Sequence, residues 1–236
     1  RANGSVAGFS DIATGMSIEP SHGDGWPFAA VLRDRIEGHL IHVVVDSAYA
    51  GSVAWRSEHD GHVATFAGLV GTCGRTTDVE VTLRWKTDPL GFRVEPTVAS
   101  PSLRFEVMEL SLFSGTVLGA DEPAHEHIAI PDWGEGKIIH NPREAKLGDF
   151  FKGDRRYLSY TAEFGEDLSY GWLAVYGRRA GIGVGLLNRD MITMEFKLGR
   201  SDRGVEISPT WFRMRTYGED HPFCEREALT LGTVLL

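Results

Sequence analysis

"DVEVTLRWKTDPLGFRVEPTVAS", residues 78–100, decides the fold. Val79, Val81, Leu83 and Trp85 fall on one side of an extended chain, and Glu80, Thr82 and Arg84 fall on the other. A period of two is the signature of a strand with one face in a core and one in water. "DPLG" (88–91) supplies a turn, and "FRVEPTVAS" (92–100) returns as the antiparallel partner.

Outward from this hairpin the same habit continues. "HLIHVVVDSA" (39–48) sets β-branched residues between turn formers, and "GHVATFAGLVG" (61–71) follows the tight-turn dipeptide Asp60-Gly61. In "LRFEVMELSLFSG" (103–115) Phe105, Val107, Leu110 and Leu112 are the expected inward residues. The second half reads the same way. "RRYLSYTAEFG" (155–165), "GWLAVYG" (171–177), "GIGVGLLNRD" (181–190), "MITMEFKLG" (191–199) and "GVEISPTWFRMRT" (204–216) are strands between Gly- and Asp-bearing turns, and "SDRG" (201–204) is a hairpin tip. "EREALTLGTVLL" (225–236) begins with helix formers and ends strand-like. The best helix candidate is "WPFAAVLRDRIEG" (26–38), and it is short. About fifteen strands at this spacing, with 28 glycines and 10 prolines as spread punctuation, predict an all-β chain. The expected form is one large antiparallel β-sandwich over residues 1–236, with few short helices.

Charge and composition exclude several partners. A net charge of −9 and a pI near 5.5 provide no basic stripe for phosphates, so neither nucleic acid nor an anionic membrane is an expected partner. No apolar run approaches the roughly 20 residues of a membrane-spanning helix. Two cysteines, Cys73 and Cys224, rule out a disulfide framework or a multi-cysteine zinc site, leaving one long-range disulfide or two free thiols. No Walker loop, G-x-S-x-G or H-E-x-x-H occurs, and Gly181-x-Gly183-x-Gly185 lacks the spacing and following helix of a dinucleotide site. No cofactor is expected. Glycine at alternate strand positions instead permits close approach of backbone or an aromatic ring.

Candidate chemistry concentrates in "IPDWGEGKIIHNP" (130–142) and the His125-Glu126-His127 before it. On an extended strand His125 and His127 share a face. They can hold a metal with Asp121, Glu122 or Asp132 as carboxylate, but no third ligand has diagnostic spacing, so no metal is expected. A His and a carboxylate can serve as a general acid and general base near neutral pH, and His125 or His140 with Glu163 or Asp190 offers such a pair. Trp26 and Trp133 sit among Gly, Pro and Asp and are expected to be exposed; Trp85 and Trp172 lie in strand patterns and are expected in the core. The expected ligand-binding residues are therefore Trp133, Asp132, His125, His127 and His140, with no catalytic residue assigned.

The order of these motifs resembles the N-terminal β-supersandwich domain of multidomain glycoside hydrolases, which has the galactose-mutarotase-like fold. The matching pieces are the hairpin at 78–98, Pro131, Gly136, Asn141-Pro142 and "GIGVGLLNRD" ending at Asp190, within roughly residues 36 to 216. The resemblance implies a corner between two large sheets at 130–142 and a carbohydrate ligand. It also implies a (β/α)8 catalytic barrel of the same polypeptide, carrying the glycosidase carboxylates beyond residue 236. Both ends of the chain then read as cuts from a longer protein, which leaves the compartment open, with an extracellular or periplasmic setting favoured. The readings of a different class are a stand-alone aldose 1-epimerase-like enzyme and a carbohydrate-binding module.

Overall fold

The computed structural model describes residues 8–10, 15–21, 27–44, 51–89, 91–118, 122–131, 136–144, 155–160, 171–178, 180–187, 193–212, 228–230 and 233–235. These form strands β1 (Phe9–Ser10), β2 (Ser17–Pro20), β3 (Phe28–Asp34), β4 (Leu40–Val44), β5 (Ser52–Glu58), β6 (Gly61–Ala67), β7 (Glu80–Asp88), β8 (Gly91–Ala99), β9 (Phe105–Leu112) and β10 (Gly115–Leu118). A 3-10 turn at Pro123–His125 leads into β11 (His127–Ile130) and β12 (Lys137–His140). The rest are β13 (Arg155–Tyr160), β14 (Trp172–Tyr176), β15 (Gly181–Leu187), β16 (Thr193–Arg200), β17 (Val205–Phe212), β18 (Ala228–Thr230) and β19 (Thr233–Leu235). The all-β sandwich expected from the strand pattern is what is observed.

Two antiparallel sheets carry these strands. One has nine, in the order β1-β2-β10-β17-β9-β3-β4, with β16 pairing β17 and β13 pairing β16. The other has ten, in the order β12-β11-β14-β15-β19-β8-β7-β6-β5, with β18 beside β8. The 78–100 hairpin holds as read: β7 and β8 pair from Glu80↔Ala99 to Asp88↔Gly91, and Val79, Val81 and Leu83 are buried. The core lies between the sheets. Phe28 of β3 meets Phe66 of β6 edge to face, ring centroids 5.2 Å apart, and neither is exposed. Burying each such side chain stabilises by about 1.5–3 kcal/mol, so this pair fastens one sheet to the other.

In each sheet a proline faces a split neighbour. Along one side of β17, β10 pairs with Val205–Ile207 and β9 with Thr210–Phe212, so Ser208 and Pro209 fall between them. Proline has no N–H to donate to a ladder, and Ser208 Oγ donates instead to the Leu112 carbonyl at 3.1 Å. Likewise β18 pairs with Thr97–Ala99 and β19 with Arg93–Val94, leaving Glu95 and Pro96 of β8 between them.

Several expectations are corrected. The helix candidate at 26–38 forms β3, whose burial alternates strictly from Phe28 to Asp34. Pairing to β4 and β9 on its two sides outweighs the helix propensity of Ala29, Ala30 and Leu32. In β9 all four residues expected inward are buried, on odd positions first and even positions afterwards. The switch follows from an irregularity: Val31 pairs Glu109 but Leu32 pairs Val107, leaving Met108 unmatched, as in a β-bulge. The described residues of 130–142 do not turn from one sheet to the other: β11 and β12 pair with each other within the ten-stranded sheet.

A charged clasp closes one end of the sandwich. Asp34, at the end of β3, has no exposed surface. It accepts from Arg104 Nη2 at 2.8 Å and from the Ile36 N–H at 2.9 Å, and Arg75 Nη1 lies 3.1 Å away. Glu37 pairs with both arginines. Arg75 belongs to the β6–β7 connection of the other sheet, and the same connection donates from Thr72 N–H to the His42 carbonyl of β4. The Arg104 guanidinium, with the Ile36 and Glu37 N–H groups, holds the Asp34 carboxyl down to about 2 despite its burial.

Candidate functional site

Strand alternation sorts the β11–β15 corner into two faces. Ile128, Ile130, Ile139, Leu173, Val175 and Val184 point into the core. The residues between them point out. In cross-strand register the outer face carries one row of His140, His127, Tyr176 and Gly181, and a second of Ile138, Ala129, Ala174 and Gly183. Trp172 opposite Gly185 begins a third. Neighbouring strands lie about 4.8 Å apart, and outward positions along one strand are about 6.6 Å apart, so these side chains form one continuous surface.

His127 and His140 are in contact. Their Nδ1 atoms are 3.2 Å apart and their rings meet edge to face at 4.8 Å between centroids. A hydrogen bond between two neutral imidazoles through Nδ1 requires opposite tautomers, one donating and one accepting. The two free Nε2 atoms are then one acceptor and one donor. On its other side the His127 ring lies 5.2 Å from the Tyr176 ring. Gly181 lets the two strands approach here, because a Cβ there would lie 2.7 Å from the Tyr176 Cβ.

Beneath the histidines, Glu126 points inward and is buried. Arg143 Nε donates to its Oε2 at 2.8 Å. Burial pushes the Glu126 carboxyl up, and Arg143 opposes that shift. The Glu126 carbonyl accepts from the Asn141 N–H at 2.9 Å, and Asn141 adopts φ 50°, a left-handed conformation that asparagine tolerates better than most residues. Asn141 Nδ2 donates to Glu144 at 2.7 Å. These contacts fix the end of β12 and thus where His140 stands.

Of the five ligand-binding residues expected from the sequence, His127 and His140 come together. His125 does not join them: it ends the 3-10 turn, with Nδ1 3.8 Å from Glu122 Oε2, so the shared-face reading of His125 and His127 fails for want of an extended chain there. Asp132 and Trp133 lie outside the described residues, as do Trp26, Glu163, Asp190 and Cys224. Cys73 is a free, exposed thiol. Among the described residues no three His, Cys, Asp or Glu side chains are grouped to hold a metal. Trp172, expected in the core, is 42% exposed, because it takes the outward phase of β14 while Leu173 and Val175 take the inward one. Tyr176 and Trp172 stand on the same outer face, although neither is among the ligand-binding residues expected from the sequence. The signal was present: Trp172, Ala174 and Tyr176 share one phase, and the glycines 181, 183 and 185 face them.

No family model matches the chain, and no curated protein matches it. Among solved structures the chain is similar to the Slr1438 protein from Synechocystis sp. PCC 6803, a structural genomics target. The TM-score is 0.45 with 10% identity, over 96% of this chain and 93% of that one. A likeness at this level assigns neither family nor chemistry.

Proposed function

We propose that this chain is a non-catalytic, galactose-mutarotase-like β-supersandwich domain of a carbohydrate-active enzyme, which recognises sugar through the outer face of its ten-stranded sheet. The observation that carries the reading is the His127–His140 pair. It presents a donor and an acceptor side by side on an exposed face, and a sugar hydroxyl can both donate and accept. The non-catalytic part follows the resemblance, and the placement of Glu126 agrees with it. This carboxylate, adjacent in sequence to both His125 and His127, is turned into the core and held by Arg143, so it is not placed to exchange protons with a bound ring. Ile36 (76% exposed), Leu40 and Leu103, close to the charged clasp, offer apolar surface for packing against a catalytic domain of the same polypeptide.

The test is calorimetric titration of the chain with a glycan panel, together with polarimetry on free aldoses. Glycan binding without mutarotation is expected. Mutarotation catalysed by the chain and abolished in His140→Ala would replace this reading by the epimerase one. A folded chain that binds none of the glycans would remove the recognition role.

A further inference from the structure

Trp172 is a large ring held 42% exposed on a regularly paired strand, where burial would have stabilised the chain. It shares the outer face of β14 with Tyr176, and Ala174 lies between them. Their Cα atoms are thus about 13 Å apart, with the rings rising on either side of a low floor. That floor continues sideways through Ala129 and Gly183, the partners of Ala174 on β11 and β15. Ile138, 51% exposed on β12, closes one end.

Charge separates this corner from the rest of the same face. Further along the sheet the outer side chains are ionic: Arg56 and Arg84 pair with Glu58, and Lys86 pairs with Glu95. None of the outward residues of β11, β12, β14 and β15 named above is a carboxylate, lysine or arginine. In a chain of net charge −9, an uncharged face with aromatic rings and imidazole hydrogen-bonding groups complements a ligand that is polar but neutral.

We infer that the aromatic corner of exposed Trp172 and His140 with half-buried Tyr176 and His127 is a subsite for a neutral oligosaccharide. One sugar ring lies against Trp172, and a linked ring hydrogen-bonds the histidine pair. The inference rests on the proposed sugar recognition and adds the residue that stacks, the absence of acidic sugars among the ligands, and a ligand longer than a single ring. A ring lying against the indole presents its C–H face, and the site spans more than one ring between the indole and the imidazoles.

Gly183→Val gives a clean test, because a Cβ at Gly183 meets nothing closer than the Leu173 carbonyl at 3.9 Å, so the side chain fills the floor without disturbing the strand. The full chain is titrated with neutral oligosaccharides of increasing length and with a uronate-bearing chain of the same length. Affinity is expected to rise from mono- to disaccharide and to be lower for the uronate. Trp172→Ala and Gly183→Val are each expected to weaken binding about tenfold or more, with unchanged circular dichroism. Oligosaccharide binding that both variants retain overturns this subsite and leaves sugar recognition elsewhere on the chain standing. Equal affinity for one ring and several, or preference for the uronate, also overturns it. Absence of any glycan binding by the folded wild-type chain overturns both.

Discussion

The clasp at Asp34 and the corner at His127 both gather polar side chains on the sandwich, and they differ in what is left over. At the clasp two arginines meet two carboxylates and two backbone N–H groups also bond Asp34, so the charge is matched inside the protein. At the corner the histidines satisfy one nitrogen each and leave the others to solvent, beside an exposed indole. A saturated cluster holds elements together; a cluster with spare donors and acceptors is where a ligand can add bonds without displacing existing ones.

The comparison can be broken by substitution. Asp34→Ala should cause the largest fall in the urea midpoint among these variants, since it removes the buried carboxylate that both guanidinium groups and two backbone N–H groups meet and leaves the arginines to Glu37 alone, while glycan binding stays unchanged. Loss of binding there would show that the two regions are not separable. Arg143→Ala leaves the buried Glu126 carboxylate unpaired and should cost about 3–5 kcal/mol, seen in denaturant unfolding. It should also weaken glycan binding, because the Glu126 carbonyl holds Asn141 next to His140.

Acid should act on the two regions with opposite sign. The Asp34 carboxyl is lowered from 3.8 to about 2 in the folded chain. Between those values the unfolded chain binds more protons, so the clasp's contribution is full above about pH 4 and is lost as pH falls toward 2. The Glu126 carboxyl is raised. There the folded chain takes up the proton first, so acidification adds to stability instead of removing it. Unfolding of Asp34→Asn and Glu126→Gln followed against pH should flatten the first dependence and the second respectively. An unaltered acid limb in Asp34→Asn would show that the clasp does not govern acid sensitivity. The smallest effect belongs to His140→Ala. Stability should stay within about 0.5 kcal/mol of the parent, and glycan affinity should fall by about the 0.5–1.5 kcal/mol of one net hydrogen bond.

How much of this was legible depends on the kind of interaction. The β7–β8 hairpin was readable because Val79, Val81 and Leu83 alternate without interruption and Asp88–Gly91 is a local turn. Residues 26–38 misled because Ala29, Ala30, Leu32 and Arg33 suit a helix locally, and only their partners on β4 and β9 make them a strand. The unmatched Met108 was invisible, since it depends on a mismatch against β3. At the site, His127 and His140 were both named from the sequence, but that they touch depends on the β11–β12 register, and His125 was assigned to a strand that starts two residues later. Trp172 was misplaced because alternation identifies two faces without saying which one is inside. That choice was made by Leu173 and Val175, which are buried on the other phase.

The position of β19 has a consequence for assembly. This strand of three residues stands between β15 and β8, and the strand order of the ten-stranded sheet passes through it. The β5–β8 meander is built of hairpins and can form as soon as it is synthesised. The corner strands β11, β12, β14 and β15 make a second local unit. Joining the two requires Thr233–Leu235, so this sheet closes only after more than 130 residues have followed β8. Such long-range closure is slow relative to hairpin formation. During synthesis the chain therefore carries two unpaired strand edges, on β8 and β15, that would pair with any extended segment offered before β19 arrives. Pulsed hydrogen exchange should show β6–β7 amides protected before those of β15 that face β19.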